Sequence, residues 1–398
     1  MMRLGLLALL SGLFLAGCAD RNEPLSDDTS LNPVFKSDSV RCFDCHTPSL
    51  SPQFLTSVHG KLACTSCHSG NASSGIKDSA HADLVKKPSE QPEANCALCH
   101  KDITARHAGS LHATGKGMRA KIEARSGVSM TGNVAMTGRF TQDCGKCHAS
   151  CGSCHVVTGH RFRLNDAGTC EKCHTRVDEE YSGALPGNRP DIHNVNGATC
   201  TECHANIASH GTNDSARTGM FSGTDAARCE TCHPPLDTNF DHNTWHDFHW
   251  RARYGTPKLA CQVCHAQAYA NCSQCHAGDS TAATRFVNIK IARNPLKSAT
   301  RAYDYALVRH VPVTKATFDS WGLSLLHFDS IPTWKYAAPH TIRRWTPQTD
   351  SAYTASGGTC SDRCHDSRNY LKEGDFDSTA WGINRDELLA NQRILMEN

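Results

Sequence analysis

Two closely spaced cysteines followed at once by a histidine recur eleven times in this 398-residue chain. Each motif offers two thiols for covalent bonds to one planar ligand and an adjacent imidazole for a metal at its centre. Ten copies read CxxCH: Cys42/Cys45/His46, Cys64/Cys67/His68, Cys96/Cys99/His100, Cys144/Cys147/His148, Cys151/Cys154/His155, Cys170/Cys173/His174, Cys200/Cys203/His204, Cys229/Cys232/His233, Cys261/Cys264/His265 and Cys272/Cys275/His276. The eleventh copy, Cys360/Cys364/His365, has one more residue between its cysteines.

This spacing predicts eleven covalently attached haem c groups. Two residues between the cysteines let both sulfurs reach one side of a porphyrin, and the next residue places its imidazole beneath the iron. Disulfides and CxxC-type zinc sites are the alternatives. Histidine makes up 24 of 398 residues, so its presence after every pair would be a chance event on the order of 10⁻¹³. The eleventh copy departs from the usual spacing, and zinc or no ligand is its alternative.

Each iron has a second axial position, and the remaining histidines can supply it. Eleven irons need eleven further ligands, and the chain has two more than that outside the motifs. These candidate distal ligands are His59, His81, His107, His112, His160, His193, His210, His242, His246, His249, His310, His327 and His340. The cluster of His242, His246 and His249 is where a spare is expected. Ligation by two histidines leaves no vacant position, which favours electron transfer over catalysis.

The N-terminus predicts export and lipid anchoring. Residues 1–17 have a basic start and a short apolar run that resemble a lipoprotein signal peptide, and the Leu-Ala-Gly before Cys18 resembles its lipobox. Cys18 is therefore the predicted lipidation site. The apolar run is shorter than the about 20 residues of a membrane span. Residues 18–40 have the composition of a flexible tether. Ala19, which follows the cysteine, favours the outer membrane, at its periplasmic face or at the cell surface.

Composition predicts a fold that depends on its cofactors. Hydrophobic residues make up 39% of the chain, which is little for an ordinary core, and about 35 residues per haem are too few for separate domains. We expect residues 41–398 to form mainly short α-helices and irregular coil wrapped around a continuous stacked haem array, with little β-sheet.

Two stretches of this body are unlike the rest. Residues 277–359 carry no motif and are predicted to be a haem-free wrap or flap that donates His310, His327 and His340, with a substrate-binding insertion as the alternative. Residues 285–293 alternate in places like a strand. Residues 384–397 are predicted to form a closing amphipathic helix.

The formal net charge of +2 leaves out the haem propionates. With them, the oxidised protein would carry about −9. Basic residues between positions 101 and 143 are therefore expected to pair with propionates, with a docking patch for an acidic partner as the alternative. These residues are Lys101, Arg106, Lys116, Arg119, Lys121, Arg125 and Arg139. Nothing beyond this segment favours nucleic-acid binding.

Through the motifs between residues 42 and 365, the chain resembles the lipid-anchored multihaem c-type cytochromes of bacterial respiratory and extracellular electron transfer. The resemblance implies electron transport along a bis-histidine haem chain between respiratory partners, at the outer membrane or cell surface. It implies partners that are other redox proteins or cytochromes, with an outer-membrane porin as a further candidate. The membrane would be reached through the lipid.

Two other functions remain open. A multihaem oxidoreductase could reduce nitrite, hydroxylamine or a sulfur compound at one special haem, for which Cys360/Cys364/His365 is the best candidate. Such enzymes commonly carry a CxxCK motif, and none occurs here. We therefore expect an electron carrier rather than a catalyst and assign no catalytic residue. A polymeric cytochrome filament is the third alternative, although a lipid on every subunit argues against it.

Overall fold

Short helices dominate the fold, and strands are few. The computed structural model describes residues 40–46, 49–145, 150–157, 160–162, 167–185, 187–205, 209–212, 219–222, 227–233, 246, 249, 257–267, 289–311, 313–350, 369–377 and 385–396. The predicted combination of mainly helix with little sheet is confirmed. Several predicted site residues lie outside the described part: Cys18, Cys147, His148, His242, Cys272, Cys275, His276, Cys360, Cys364 and His365. The signal peptide and nearly all of the tether lie outside it as well.

Among the described residues, nine α-helices precede residue 145. They are α1 (Val40–His46), α2 (Pro52–Thr56), α3 (Thr65–His68), α4 (Lys77–Ala80), α5 (Pro92–Asn95), α6 (Ala97–Gly109), α7 (Leu111–Thr114), α8 (Lys116–Ser126) and α9 (Val134–Cys144).

Eight more are described after it. They are α10 (Cys151–His155), α11 (Ala167–Glu171), α12 (Thr175–Tyr181), α13 (Ile192–Val195), α14 (Cys200–Cys203), α15 (Cys229–Cys232), α16 (Gln262–His265) and α17 (Leu388–Asn391). Short 3₁₀ turns connect them at His59–Lys61, Pro88–Glu90, Asp319–Trp321, Phe328–Ser330, Glu373–Asp377, Arg385–Glu387 and Gln392–Ile394.

The longest helices, α6, α8 and α9, follow the third motif and lead into the fourth. Asn133 caps α9 by accepting a 3.1 Å hydrogen bond from the Met136 amide. Met136 and Phe140 are one turn apart, so both are buried on the same face, where they pack with Ile122 of α8. Leu323, from the motif-free stretch, completes this cluster. The cluster therefore ties that stretch to the helices before the fourth motif.

Five strands form two small sheets. Strands β1 (Val156–Val157) and β2 (Arg161–Phe162) make a two-stranded hairpin after the fifth motif. An antiparallel sheet has the order β3 (Ile289–Arg293), β4 (Tyr305–His310) and β5 (Trp334–Tyr336). Strand β3 lies within residues 285–293, where the alternating pattern predicts a strand.

Both faces of the three-stranded sheet are covered. On one side, residues around the ninth motif, including Ala260 and Val263, pack against Leu307 of β4. On the other side, Trp334 of β5 packs with Leu371 and with side chains near the C-terminus. Strands β3, β4 and β5 therefore give the described part of the motif-free stretch a packed sheet; whether the stretch is a haem-free wrap or flap stays a prediction. Three consecutive residues are buried in β3 and three in β4, which places buried side chains on both faces of the sheet.

The C-terminal segment differs from the predicted single helix. Residues 385–394 form two 3₁₀ turns on either side of α17. The Asn391 side chain in α17 accepts a 2.9 Å hydrogen bond from the Trp334 amide. Ile394 is buried, whereas Leu389 is 67% exposed. The segment is therefore shaped by its contacts with the sheet, which override its helical periodicity. In the part of the chain that the structure describes, no helix has the length and apolar character needed to cross a bilayer.

Replacing Leu371 by alanine should destabilise the sheet strongly, because its side chain is fully buried beside Trp334 and Phe376. We expect the free energy of unfolding to fall by about 2–5 kcal/mol, measured by guanidinium unfolding followed by circular dichroism. Leu389→Ala removes the same atoms from an exposed site and should cost no more than about 0.5 kcal/mol. Equal losses in the two variants would contradict this description of the core.

Candidate functional site

Eight motif histidines each face a histidine from outside the motifs. In all eight pairs the ring centroids are between 5.7 and 6.3 Å apart. The pairs are His46–His81, His68–His160, His100–His59, His155–His210, His174–His112, His204–His340, His233–His193 and His265–His246. Every pair therefore contains one predicted proximal ligand and one predicted distal ligand.

This separation fits one iron atom between two imidazoles. A metal–nitrogen bond is about 2.0 Å long and a ring centre lies about 1.1 Å behind its nitrogen, so two axial histidines have centroids about 6 Å apart. The angle between the ring planes varies widely, from 4° in His155–His210 to 86° in His112–His174. Two imidazoles bound on a common axis can each rotate about that axis. Binding to one metal would therefore constrain the distance between the ring centroids and leave the angle between the ring planes free.

One turn of helix aligns the three residues of each motif. The amide of His68 donates to the Cys64 carbonyl at 2.9 Å, and the same bond recurs in the motifs that end at His100, His174, His204, His233 and His265. Residues three and four positions apart lie on the same face of a helical turn. The two thiols and the imidazole of a motif are therefore presented on one side of the chain, as attachment to one ring requires.

Backbone carbonyls orient several of these imidazoles. The Nδ1 of His68 lies 2.8 Å from the Val85 carbonyl oxygen, and the Nδ1 of His265 lies 3.1 Å from that of Arg343. Because a carbonyl oxygen only accepts hydrogen bonds, Nδ1 must carry the proton in both rings. The lone pair is then on Nε2, which is the tautomer that binds a metal through Nε2.

A buried carboxylate orients His193. Asp191 is 2% exposed, and its Oδ1 lies 2.9 Å from the Nδ1 of His193 and accepts the His193 amide at 2.8 Å. The other carboxylate oxygen accepts the amide of Ile342 at 2.6 Å, two residues after His340. This contact with Asp191 raises the pKa of His193. Asp191 thus fixes two segments that each carry a candidate distal ligand.

Burial favours the neutral form of seven of the sixteen paired imidazoles. It is the main cause of a lowered pKa for His340, whose neighbours His204 and Arg176 lower it further, to about 4. Burial is also the largest cause of a lowered pKa in other paired histidines: His59, His160, His174, His204, His233 and His265. A neutral imidazole is the form that ligates a metal.

Thiols of different motifs lie beside one another. Hydrogen bonds join Cys42 to Cys64, Cys170 to Cys200 and Cys229 to Cys261. Electrostatic contacts join four further pairs: Cys67–Cys99, Cys96–Cys151, Cys154–Cys173 and Cys203–Cys232. With burial as the main cause, these surroundings raise the pKa of Cys96 to about 11. Each contact links one motif to another, so motifs one, two, three, five, six, seven, eight and nine form a single row.

The second cysteines of the first and ninth motifs, Cys45 and Cys264, are not among these seven contacts between motifs. Cys45 is exposed at the end of α1, and its nearness to Cys42 of its own motif helps to raise the pKa of that thiol. Cys264 is half-buried in α16, where its amide donates to the Cys261 carbonyl at 3.2 Å and its carbonyl accepts a 2.5 Å hydrogen bond from the Thr346 hydroxyl. These two thiols thus stand at the two ends of the row, and their attachment to porphyrin stays a prediction.

Of the three site residues of the fourth motif, only Cys144 lies in the described part of the chain. It packs against the cluster formed by Met136 and Phe140, together with Trp321. The indole of Trp321 donates a 2.6 Å hydrogen bond to the neighbouring Asp143. The place of the fourth motif relative to the row stays open.

Four further candidate distal ligands also lie in the described part of the chain. His310 is buried in β4, and its Nε2 lies 3.0 Å from an oxygen of the buried Glu387. The His327 amide donates to the Arg125 carbonyl at 2.7 Å. His107 is buried in α6, and the carbonyl of His249 accepts a 2.9 Å hydrogen bond from the Lys258 amide.

The site contains residues that the sequence analysis did not select. Glu180 is fully buried and accepts the His340 amide at 3.1 Å, while its other oxygen is ion-paired with Arg176. Asp191 is the second such residue. An acidic residue two positions before His193 is a weak sequence signal. Glu180 has no such signal, because its contact with His340 joins residues 160 positions apart.

Comparison with protein-family models, curated proteins and solved structures finds no match. Within the described ranges, no group of three or more His, Cys, Asp and Glu side chains is arranged to hold a metal ion. The described motif cysteines are not in disulfide bonds. The pairs of imidazoles beside paired thiols are therefore the recurring arrangement that could hold a cofactor.

Proposed function

We propose that this protein is a multihaem c-type cytochrome that carries electrons along a bis-histidine haem chain between respiratory partners. The observation that carries the proposal is the separation of 5.7 to 6.3 Å between a motif histidine and a histidine from elsewhere, repeated at eight motifs. A solely structural role for histidine gives no reason for that distance to recur.

The residues of each proposed site have distinct roles. The two thiols bind the porphyrin covalently, the motif histidine is the proximal ligand, and its partner is the distal ligand. Bound haem supplies reversible one-electron chemistry at its iron. Each of the eight described pairs would hold the iron with two imidazoles and would leave no position on it for a substrate. This favours an electron carrier over an oxyanion reductase at these eight sites.

The order of the thiol contacts supports transfer along the molecule. Attachment points of successive motifs touch, as Cys170 and Cys200 do, so their ligands would lie next to one another. Side chains contribute only a few separate clusters of apolar core among the described residues. Stacked porphyrins would fill the space between the short helices, and we include that array in the proposal.

A lipid anchor would keep this function at a membrane. Lipidation of Cys18 and a tether over residues 18–40 would hold the body at the outer membrane, at its periplasmic face or at the cell surface. The proposed partners are other redox proteins or cytochromes, and an outer-membrane porin is a further candidate. The tether would let the body reach a partner without leaving the membrane.

The proposal is tested by expressing the full chain with a c-type cytochrome maturation system. We expect eleven haems per chain by the pyridine haemochrome assay, with low-spin, six-coordinate spectra at the eight described sites. A colourless protein, or one that holds metal without porphyrin, would refute the proposal. Reduction of nitrite or tetrathionate at respiratory rates would instead show that a haem is catalytic.

Removing one distal ligand should change the spin state of one haem. In His340→Gly the partner of His204 is lost, and we expect about one haem in eleven to become high-spin in resonance Raman and electron paramagnetic resonance spectra. Added imidazole should restore the low-spin signal, which a purely structural role for His340 would not allow. An unchanged low-spin spectrum in the variant would show that this pairing is wrong.

Neutralising Asp191 should raise one redox potential. Its negative charge makes His193 a stronger donor and favours oxidised iron, so Asp191→Asn should move one midpoint potential upward by about 10–60 mV. The measurement is a spectroelectrochemical titration. Asp102→Asn makes the same change at an exposed position on α6 and should leave all potentials unchanged. Identical titrations for both variants would contradict the role given to Asp191.

A further inference from the structure

A group of basic side chains lies where α8 meets the three-stranded sheet. Lys121 and Arg125 are one helical turn apart and share a face of α8. Arg309 of β4 and Lys335 of β5 are direct partners in the antiparallel register. Like charges at either spacing repel and destabilise the element that carries them. We name these four residues and Arg393 the cation cluster.

Arg125 fixes the helix against the start of β5. Its guanidinium donates hydrogen bonds to the carbonyls of Phe328 at 2.6 Å and Ile331 at 2.9 Å, and it lies 4.8 Å from the centre of the Phe328 ring. The carbonyls neutralise no charge. The contacts therefore hold two positive side chains of α8 near the two on the sheet.

The members of the cluster act on one another electrostatically. Burial lowers the pKa of Lys335 to about 6, and Arg125, Lys121, Arg393 and Arg309 all contribute to that shift. The pKa of Lys121 is lowered by burial and then by Arg309 and Arg125. Without an added negative charge, this arrangement opposes protonation of Lys335.

Two carboxylates act electrostatically on the cluster. Glu387 acts on Arg125; its Oε2 accepts hydrogen bonds from His310 and Thr333, and its Oε1 has no hydrogen-bond partner. Glu180, which faces Arg309, is ion-paired with Arg176.

In the part of the chain that is described, no ion pair joins a carboxylate to Lys121, Arg125, Lys335 or Arg393. The positive charge of the cluster therefore exceeds the negative charge supplied around it.

We propose that the cation cluster binds an oxyanion of the carboxylate or phosphate class. Such an anion brings several acceptor oxygens, which suit the donors of lysine and arginine, and it offsets the repulsion within the cluster. Two sources share this chemistry: a propionate of a resident haem, which rests on the proposed function, and a soluble anion such as phosphate.

The direction in which the melting temperature changes when one positive charge is removed tests the proposal. Lys335→Met and Lys121→Met keep most of the side-chain volume and remove the charge. If an anion is bound, we expect each variant of the full, haem-loaded protein to melt about 2–4 °C below the wild type. Lys315→Met makes the same change at a lysine outside the cluster and should melt within about 1 °C of the wild type.

Titration with inorganic phosphate in chloride buffer separates the two sources. A soluble anion predicts a saturable rise in the wild-type melting temperature that is lost in Lys335→Met. A propionate predicts no phosphate dependence, together with a lower midpoint potential in Lys335→Met, because a positive charge that favours reduced iron is removed.

Melting temperatures of Lys335→Met and Lys121→Met at or above that of the wild type in both buffers, with unchanged potentials, would overturn the proposal. That result would mean that the substitutions only relieve repulsion. Failure of the proposed function would be recognised differently, by the absence of haem absorption. The phosphate titration can still be interpreted in that case.

Discussion

The separation of two imidazole rings is the constraint on which the rest of this structure depends. It recurs at eight places and holds together segments that are distant in sequence, as with His68 and His160. Each pair closes a loop of the chain, and loop closure costs conformational entropy that local helix formation cannot repay. In the proposed cytochrome the metal–ligand bonds would offset that cost. This explains how a body made of four- and five-residue helices can be well defined.

The alignment of the three site residues within each motif could be predicted from the sequence because it is local. A motif of five residues contains both attachment thiols and one ligand, and a single helical turn aligns them. The predominance of helix over sheet also followed from composition, and β3 was visible as alternation around Ile289–Arg293. These features depend on residues within one turn or one strand of each other.

The partner of each motif could not be predicted in the same way. His59 lies just before the second motif, yet it faces His100 of the third. Such pairings depend on how the helices pack, and nothing in the spacing of the histidines encodes it. The same reason hid Glu180 and Asp191, whose contacts with the His340 segment join residues 160 and 151 positions apart. The pairing of β4 with β5 is likewise long-range, so the sequence around these strands did not reveal it.

The position of His340 has a consequence for how the molecule matures. A ribosome makes the chain from its N-terminus, so the seventh motif, with His204, emerges long before its partner near residue 340. In the proposed cytochrome, the seventh motif would wait until the segment after the three-stranded sheet is synthesised, whereas the first motifs could assemble earlier. Chains that stop before the sheet would keep the attachment residues of the first ten motifs and lack the partner of His204. Completion of the last part of the polypeptide would then be a checkpoint for continuity along the row.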